Sequence, residues 1–587
     1  QDAAGNSTSV TRKIEVDTQA PTLTISSPTE GSSFTTKVIP FTGSCEAGRP
    51  IQLTGSGSVT AGSATCAAGG IYSFTFTFSG NDGTKTLTLS QQDAAGNSTS
   101  VTRKIEVDTS LPTLTIQNPI ENALLKVRAV SFNGICEAGR TIQISGASGS
   151  VTSGSATCAP GNSYAFTYTF SSDGLKVLTL TIADAAGNTS SATRRVEIDS
   201  VSPVISLNGA NPLDLTVCQN FSEPGATASD VRDGNLTAQL VVTSNNVKQY
   251  EAGLYTVTYR VSDQAGNVAT LDRSVRIYGK NGETSNFYGL FDLASTSPLL
   301  TNFSTSAKYM LCQDIILGNV SPIGTNAQRF QGALYGAGKK IKSGKISSNS
   351  DFVGFFAVLD QASVIEDLIF EDIQVEATGS SFVGTIAGSS YGKVTEVAVV
   401  GNGYVRGANK VGGLVGHNDD HLTRSFATVN VRGVSEVGGL VGHNEGKVIE
   451  SFSHAQLELD STATWAYRFG GLIGLNDDSE GVDVHHCYAL GTGLSSLPGF
   501  VIGGLIGEGK AEVVTNSYWN STVSGIPAQG GGTFRRKYGR ALSDSQMRDK
   551  ANFTNNFQDW GALGAVTTSW NYDDALSPYP LLKWVVE

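Results

Sequence analysis

A chain of 587 residues with 39% hydrophobic content can bury several separate cores, so we expect about three to five domains. Only 16% of the residues are charged and 68 are Gly, a balance that favours strands and turns over helices. The net charge of −12, without a basic run beside aromatic residues, excludes the usual footprint of a nucleic-acid-binding protein, and no apolar stretch is long enough to span a membrane.

The start of the chain is a repeat. Residues 1–18 recur without change at residues 92–109, which predicts that residues 1–18 are the end of a preceding module. We therefore expect the chain to be a fragment of a longer protein, with any signal peptide and anchor outside it.

Two tandem modules follow, at residues 19–109 and 110–200. Cys-Glu-Ala-Gly-Arg at residues 45–49 returns at residues 136–140, and apolar and hydroxyl side chains alternate along the segments between. Alternation with a period of two, interrupted by Asp-Gly turns, predicts β-sandwiches. The residues predicted to face these cores include Tyr72, Phe74, Phe76 and Phe78, and their counterparts Tyr164, Phe166, Tyr168 and Phe170.

A third module is predicted at residues 201–279. Its alternation at Tyr255, Val257, Tyr259 and Val261 and its closing Asp-x-x-Gly-Asn turn indicate a related but distinct sandwich.

A different repeat begins after residue 280. Its unit contains Gly-Gly-Leu followed by Val or Ile and Gly, and the first glycines of successive units are 26 to 33 residues apart. Because one such unit cannot bury its apolar side chains alone, the repeat predicts a β-solenoid at residues 346–525, with a connector and first coils at 280–345 and a cap at 526–587. Full copies start at residues 411, 437, 469 and 502, and degenerate copies precede them at residues 353 and 383.

Three resemblances to known families support an all-β chain of tandem Ig-like sandwiches and a solenoid. The first two modules resemble bacterial Ig-like repeats with a Cys-Glu-Ala-Gly start and an Asp-Ala-Ala-Gly-Asn end. The third, through Glu223-Pro224-Gly225-Ala226-Thr227 and the Asp230 to Leu236 segment, resembles an Ig-like family first described in a pesticidal crystal protein, which usually has Asp where Asn235 stands. The Gly-Gly-Leu-Val-Gly units resemble the GLUG motif of bacterial surface proteins. These resemblances imply spacer and adhesion roles.

Cysteines indicate an exported protein. Cys45 and Cys66 recur at matching places as Cys136 and Cys158, which predicts one disulfide in each module, with two buried thiols per module as the alternative. For Cys218, Cys312 and Cys487 no pairing is predicted, so we expect at least one free thiol.

Aspartates at the module junctions are the candidate metal ligands. Asp17, Asp108 and Asp199 begin the linkers, while Asp93 and Asp184 open the Asp-x-x-Gly-Asn turns that fold back near them, as do Asp2 and Asp263. Carboxylates and turn carbonyls suit Ca²⁺, and no other cofactor is expected. The alternative is that each aspartate closes its own turn.

The solenoid offers two weaker chemical signals. His417-Asn418-Asp419-Asp420-His421 has transition-metal ligands, but His417 recurs as His443, which favours a stacked position in the coils. Acids on nearby coils could form the carboxylate pair of a polysaccharide-cleaving enzyme, although solvated turns explain them better. These acids are Glu366, Asp367, Glu371, Asp372, Asp477, Asp478, Glu480 and Asp483.

The sequence favours a non-enzymatic, extracellular adhesin or fibre on a bacterial surface. Spacer sandwiches would present a solenoid that binds a glycan or protein on another surface, and assembly into a homo-oligomeric fibre is an open alternative. Trp465, Tyr467 and Trp519 are candidate sugar-stacking residues, with core packing as the alternative role. The competing functions are a β-helical polysaccharide-degrading enzyme and a structural spacer.

Overall fold

The computed structural model describes the chain except for residues 295–296, 304, 464–466, 478–479, 498–500, 527–538, 553–569, 574–576 and 583–587. The chain forms two compact units. The first contains residues 1–206, 226–241 and 260–270, and the second contains residues 207–225, 242–259 and 271–587.

The first sandwich has two sheets, with strand orders β1-β7-β6-β3 and β2-β5-β4. Its aromatic residues face inward as predicted, and Phe41 and Phe74 stack with ring centroids 5.7 Å apart. Cys45 and Cys66 form a disulfide. The strands are β1 (Ser33–Phe34), β2 (Val38–Ser44), β3 (Ile51–Thr54), β4 (Gly57–Ser63), β5 (Ile71–Phe78), β6 (Gly83–Gln92) and β7 (Ser98–Val107).

The second sandwich repeats this plan, with strand orders β10-β13-β14-β8 and β11-β12-β9. Cys136 and Cys158 form its disulfide, and Phe132 stacks on Phe166 at 5.5 Å. Its strands are β8 (Ala123–Leu125), β9 (Ala129–Ile135), β10 (Ile142–Gly146), β11 (Gly149–Ser155), β12 (Ser163–Phe170), β13 (Gly174–Ala183) and β14 (Thr189–Ile198).

Residues 204–278 form the strands of the third module. In the first unit, β15, β17 and β18 share a sheet, and Ala228, Leu236 and Val261 form a small core. In the second unit, β16 pairs in parallel with the end of β21. The strands are β15 (Val204–Leu207), β16 (Leu213–Thr216), β17 (Ala226–Asp230), β18 (Gly234–Asn235), β19 (Val241–Asn245), β20 (Gly253–Ser262) and β21 (Val268–Tyr278), and Thr237–Gln239 is a 3₁₀ turn.

Short parallel strands then form the predicted β-solenoid, and they begin at Phe287, within the segment expected to contain the connector and the first coils. The first part contains β22 (Phe287–Leu290), α1 (Pro298–Asn302), β23 (Lys308–Leu311), β24 (Ile315–Val320), β25 (Ala333–Tyr335), β26 (Lys340–Ser347), β27 (Phe356–Leu359), β28 (Val364–Glu376), β29 (Ser381–Val383), β30 (Ala387–Ser390), β31 (Lys393–Val400), β32 (Tyr404–Arg406), β33 (Asn409–Gly412), β34 (Val415–Asn418), β35 (His421–Thr423), β36 (Phe426–Ala427), β37 (Asn430–Gly433) and β38 (Ser435–Gly438). The rest contains β39 (Val441–Asn444), β40 (Lys447–Ile449), β41 (Phe452–Ser453), β42 (Leu457–Leu459), β43 (Tyr467–Gly470), β44 (Ile473–Asn476), β45 (Asp483–His485), β46 (Tyr488–Ala489), β47 (Ile502–Gly503), β48 (Ile506–Glu508), β49 (Val514–Thr515), β50 (Tyr518–Asn520), α2 (Ser521–Ser524), β51 (Arg540–Leu542), α3 (Asp544–Met547), β52 (Trp570–Asp573) and β53 (Ser577–Leu582), with 3₁₀ turns at Leu494–Ser496, Ala511–Val513 and Lys550–Asn552.

Residues that repeat in the sequence of the solenoid pair with one another in space. Val411 pairs with Val437, and Val437 pairs with Phe469. Two of the stacked sheets follow the orders β27-β30-β34-β39-β44-β48 and β29-β33-β38-β43-β47. The Leu of each unit is fully buried between coils, at Leu414, Leu440, Leu472 and Leu505.

The repeated glycines are required because a side chain would clash with the backbone of neighbouring strands. A Cβ on Gly438 would lie 2.0 Å from the Val441 carbonyl oxygen and 2.7 Å from the Gly474 nitrogen. Backbone with positive φ occurs instead at larger residues in equivalent positions of successive coils, Lys410, Glu436 and Arg468. At these positions a charged residue, not glycine, occupies the left-handed conformation.

The predicted C-terminal cap contacts more than the last coil. β51 extends the sheet by pairing with β50, and beyond it Met547, Tyr579 and Leu582 pack on a column of rings from successive coils. The Tyr488 hydroxyl donates to the Pro580 carbonyl at 2.6 Å. The column consists of Phe426, Phe452, Tyr488 and Tyr518.

The second unit also contains a disulfide that the sequence did not predict. Cys218 bonds to Cys312 and closes a separation of 94 residues. Cys487 is a buried free thiol, in agreement with the expected odd cysteine.

Candidate functional sites

The first junction aspartate pair forms a closed turn. Asp93 Oδ1 accepts hydrogen bonds from the backbone nitrogens of Ala95, Gly96 and Asn97 at 2.8–2.9 Å, and its Oδ2 accepts from Asn97 Nδ2 at 2.9 Å. Asn97 Nδ2 also donates to the carbonyl oxygen of Asp17 at 2.9 Å. This is the turn-closing geometry that the sequence left open as the alternative to Ca²⁺ binding.

The second junction has the same geometry. Asp184 accepts from three backbone nitrogens and from Asn188 Nδ2, and Asn188 Nδ2 donates to the carbonyl oxygen of Asp108 at 2.7 Å. The side chain of Asp108 accepts from the backbone nitrogen of Ser110 at 3.0 Å. At both of these junctions the turn aspartate has hydrogen bonds to both carboxylate oxygens.

The third junction differs. Asn267 Nδ2 again donates to the carbonyl oxygen of Asp199, at 2.8 Å, but Asp199, Asp233 and Asp263 each place a potential ligand oxygen within 4.8 Å of the others. Asp199 is 4% exposed and its Oδ2 has no hydrogen-bond partner; the same is true of Oδ2 of Asp230, which is 9% exposed.

The surrounding charges make this third cluster electrostatically unfavourable. Burial raises the pKa of Asp199, and the negative charges of Asp230, Asp263 and Asp233 raise it further. One cation, Arg232, forms ion pairs with Glu197 at 2.8 Å and with Asp233. The sequence did not predict the role of Asp233, because it lies on a different loop, 34 residues after Asp199.

The histidine motif of the solenoid assembles between coils. His417 and His443 pair in register on β34 and β39, and Glu445 Oε1 lies 3.3 Å from His417 Nε2 and 3.1 Å from His443 Nε2. The stacked position expected for His417 is thus observed. His421, which the sequence placed in the same motif, instead contacts Asp420 on the surface.

Both imidazoles are fixed through Nδ1. Ser389 Oγ is hydrogen-bonded to His417 Nδ1 at 2.9 Å, and His443 Nδ1 donates to Glu436 Oε2 at 2.8 Å. Burial lowers the pKa of His417 to about 4, so that ring is neutral at pH 7. Burial alone would raise the pKa of Glu436, but hydrogen bonds and charge from His443 and Arg468 lower it, which keeps the carboxylate ionised.

Several of the acids considered for catalysis form ion pairs or accept backbone hydrogen bonds. Glu366 pairs with Lys280 at 3.1 Å and Glu371 with Lys340 at 2.9 Å. Asp372, in the left-handed conformation, accepts from the backbone nitrogen of Asn402 at 2.7 Å. Asp367 is the acid of this group whose pKa is raised, chiefly by burial. Asp477 lies 3.8 Å from His443 Nε2 and Asp483 lies 3.5 Å from His485 Nε2, while Asp478 falls outside the described residues.

The candidate sugar-stacking residues differ in the exposure of their side chains. Trp519 is 2% exposed and packs in the solenoid core, so its ring has no free face for a sugar and this prediction is wrong. Tyr467 is 42% exposed, with the Arg468 guanidinium 4.6 Å from its ring centroid. Trp465 lies outside the described residues.

A polar cleft, which the sequence did not reveal, lies along four stacked strands of the solenoid, β28, β32, β37 and β42. Its volume is about 280 Å³. Arg406 and Arg432 pair in register on β32 and β37, and Arg432 pairs with Glu458 on β42. Because alternate side chains of a strand project to the same face, equivalent positions of successive coils form this surface. The lining residues are Glu376, Tyr404, Arg406, Asn430, Arg432 and Glu458.

Ion pairs hold the side chains of the cleft in place. Arg406 contacts Glu376 at 3.2 Å and the buried carboxylate of Asp460 at 2.8 Å, and the Tyr404 hydroxyl donates to Glu376 at 2.8 Å. Arg432 donates from Nε to Glu458 at 3.0 Å. Burial alone would raise the pKa of Glu376, but hydrogen bonds from Tyr404 and Thr378 and the charge of Arg406 lower it.

Comparison with known families identifies two of the sandwiches. Residues 29–109 match the bacterial Ig-like domain, and residues 205–277 match the Ig-like domain of bacterial surface proteins. The chain carries Ig-like domains of bacterial surface proteins. With the β-solenoid, these domains support a surface adhesin or fibre role.

Similar curated proteins share only parts of their length with this chain. Halomucin of Haloquadratum walsbyi is 31% identical over an alignment of 221 residues, and the match covers 32% of this chain and 2% of halomucin. An uncharacterized 81.3 kDa protein of Acholeplasma phage L2 is 34% identical over an alignment of 110 residues, and the match covers 17% of this chain and 15% of the phage protein.

Two of the similar solved structures come from adhesion proteins. A Ca²⁺-stabilized adhesin with which an Antarctic bacterium binds ice is 18% identical, and the match covers 48% of this chain and 80% of that one with a TM-score of 0.26. A tandem repeat from the extending region of a large adhesion protein is also 18% identical, covering 45% and 75% with a TM-score of 0.21. No functional conclusion follows from likenesses at these scores.

Three disulfide bonds and the surface-type Ig-like domains fit an extracellular location. Within the described residues, no helix has the length and hydropathy needed to cross a membrane.

Proposed function

We propose that this chain is part of a bacterial surface adhesin, in which the Ig-like sandwiches are spacers and the solenoid binds carbohydrate on other surfaces. The observation that carries the proposal is the polar cleft across β28, β32, β37 and β42. It presents fixed hydrogen-bonding side chains, among them Tyr404, at equivalent positions of adjacent coils.

The charges of the cleft favour a sugar over a phosphate-bearing ligand. Arg406 and Arg432 are opposed by Glu376, Glu458 and Asp460, so the cleft has no excess of positive charge. Guanidinium groups and carboxylates together offer donors and acceptors to hydroxyl groups. Arg432 is 42% exposed, so part of its five-donor guanidinium remains accessible to a ligand.

Preorganisation supports binding at this cleft. Arg406 is already fixed by Glu376 and Asp460, and Tyr404 is fixed by Glu376. Because the side chains lose little rotamer freedom when a ligand arrives, more of the interaction energy is available for affinity.

The protonation of the cleft favours binding over cleavage. A glycosidase needs a carboxylic acid whose pKa is raised so that it can protonate the leaving oxygen. Glu376 has the opposite shift, and it is therefore ionised at neutral pH.

A glycan array probed with the 587-residue chain, beside a reducing-sugar release assay on the same polysaccharides, tests the proposal. We expect saturable binding to a subset of glycans and no release of reducing ends. Release of reducing ends would indicate the polysaccharide-degrading alternative, and the absence of binding would indicate a structural spacer; either result contradicts the proposal.

A further inference from the structure

We propose that Asp199, Asp233 and Asp263 bind a Ca²⁺ ion, at the third junction and not at the first two. One oxygen from each side chain lies within 4.8 Å of the others, which is within reach of a single ion with ligand distances of about 2.3–2.6 Å. This inference is independent of the proposed function of the solenoid.

Buried oxygens without partners distinguish this cluster from solvated acids. Asp199 is 4% exposed with Oδ2 unpartnered, and Oδ2 of neighbouring Asp230 is also buried and unpartnered. A buried carboxylate oxygen without a hydrogen bond is costly, whereas a cation would compensate for it. Hard oxygen ligands without nitrogen or sulfur favour Ca²⁺ over a transition metal.

The repeat itself supplies the matched control. Asp108 occupies the position of Asp199 one module earlier. Its carbonyl oxygen accepts a hydrogen bond from Asn188, as that of Asp199 does from Asn267. Within the described residues, however, Asp108 belongs to no cluster of three potential ligands. Asp108→Asn and Asp199→Asn therefore make the same chemical change in two modules, of which only one has the cluster.

Titration calorimetry with CaCl₂ and differential scanning calorimetry on the full chain test the site. We expect one bound Ca²⁺ in the original and D108N chains, and at least a tenfold loss of affinity in D199N. In EDTA, D199N should unfold at the same temperature as the original chain or at a higher one, because the substitution removes one of several like charges. In Ca²⁺, D199N should unfold at a lower temperature than the original chain. Absence of Ca²⁺ binding by the original chain, or equal affinity in D199N, would overturn the proposal.

A different observation, on the solenoid, points to a second metal site. We infer that His417, His443 and Glu445 bind a transition-metal ion of the Zn²⁺ class. The hydrogen bond to Glu436 requires a proton on His443 Nδ1, so Nε2 is the ring nitrogen that a metal ion would bind in place of a proton. That nitrogen is buried, makes no well-aligned hydrogen bond, and lies 3.1 Å from Glu445 Oε1, which is also an acceptor.

The surroundings of the two rings match those of metal-binding histidines. Each has its Nδ1 fixed by a partner away from the shared point, a serine hydroxyl for His417 and a carboxylate for His443. Such partners orient an imidazole and raise its basicity toward a metal. Two imidazole nitrogens and one carboxylate, with Asp477 Oδ2 at 3.8 Å from His443 Nε2, suit a four-coordinate Zn²⁺ site.

Absorption spectroscopy with Co²⁺ and calorimetry with Zn²⁺ test this site on the full chain. We expect a visible d–d band and tight Zn²⁺ binding, both lost in His443→Gln and kept in His421→Gln, which alters an exposed histidine of the same segment. Glu445→Gln changes a partly exposed ligand and should weaken Zn²⁺ binding by at least tenfold while leaving the tryptophan emission unchanged. Binding that survives His443→Gln, or no Zn²⁺ binding by the original chain, would overturn the inference. Asp199→Asn should leave Zn²⁺ binding intact.

Discussion

His454 illustrates how single residues in the solenoid depend on their aromatic surroundings. Its ring lies against Phe452, Tyr488 and Tyr579, and its Nε2 is 2.8 Å from the Tyr488 hydroxyl. Burial lowers the pKa of His454 to about 3. Because the unfolded chain has the ordinary histidine pKa of about 6.5, acid favours unfolding at this position.

The pH dependence of unfolding tests this effect. The stabilising contribution of neutral His454 is complete above about pH 6.5 and decreases by at most about 1.4 kcal/mol per pH unit as the pH falls toward 3. We expect His454→Gln to reduce the loss of solenoid stability between pH 7 and pH 4.5. Urea unfolding followed by tryptophan emission measures it selectively, since all five tryptophans lie beyond residue 464. An unchanged pH dependence in the variant would contradict the argument.

At the scale of single residues, sequence reasoning found only part of each proposed metal site. It selected Asp199 and noted His417 and its repeat His443, but not Asp233 or Glu445, which come from another loop and from the turn after the next coil strand. It could not distinguish Asp93 and Asp184, which close turns, from Asp199. The difference depends on whether a neighbouring loop supplies further carboxylates, and no local pattern contains that information.

At the scale of elements, the period of the repeat determines which strands pair. The repeat units predicted the stacking of Val411 on Val437 and of Val437 on Phe469, because apolar side chains at equivalent positions can be buried only against one another. Sequence reasoning missed the cleft although Val405-Arg406-Gly407 recurs as Val431-Arg432-Gly433, because a repeat does not show which side chains border an open space. The Cys218–Cys312 bond was not predictable, because it joins residues from two differently patterned segments.

The glycines of the repeat provide a test at this scale. Gly438→Ala places a Cβ against the Val441 carbonyl, and we expect it to destabilise the solenoid by about 3 kcal/mol, the upper end of the usual cost of overpacking a core, or to prevent folding. Gly379→Ala is the control, because Gly379 has a positive φ but open space around its Cβ, and about 1–2 kcal/mol is expected. Urea unfolding monitored by tryptophan emission compares them. Equal losses would mean that backbone conformation, not space, explains the repeated glycines.

At the scale of the whole molecule, the solenoid should tolerate the deletion of one complete coil. Coils contact mainly their neighbours, so removing one complete coil leaves every remaining coil with a partner. Around residues 404–457 the pairing offset is 26 residues, as for Val415 with Val441 and Val431 with Leu457.

Deletion of residues 411–436 should therefore retain a folded solenoid, because Val437 then takes the place of Val411 on Val383. Deletion of residues 411–423, half a coil, is the control and should unfold it by placing apolar residues on the wrong face. The position of the tryptophan emission maximum, with Trp519 buried in the core, reports the outcome. Similar emission from both deletions would contradict the stacked-coil account.

The cleft that includes β32, β37 and β42 is the proposed binding site for surface carbohydrate. Two arginine variants, compared on the glycan array, test this proposal directly. Arg432→Ala removes an exposed guanidinium from the cleft, whereas Arg424→Ala removes one of similar exposure that pairs with Glu396 at 2.8 Å outside it. We expect at least about tenfold weaker binding from Arg432→Ala, as for the loss of hydrogen bonds from a charged group, and unchanged binding from Arg424→Ala. Equal binding by both variants, or an equal loss in both, would contradict the account.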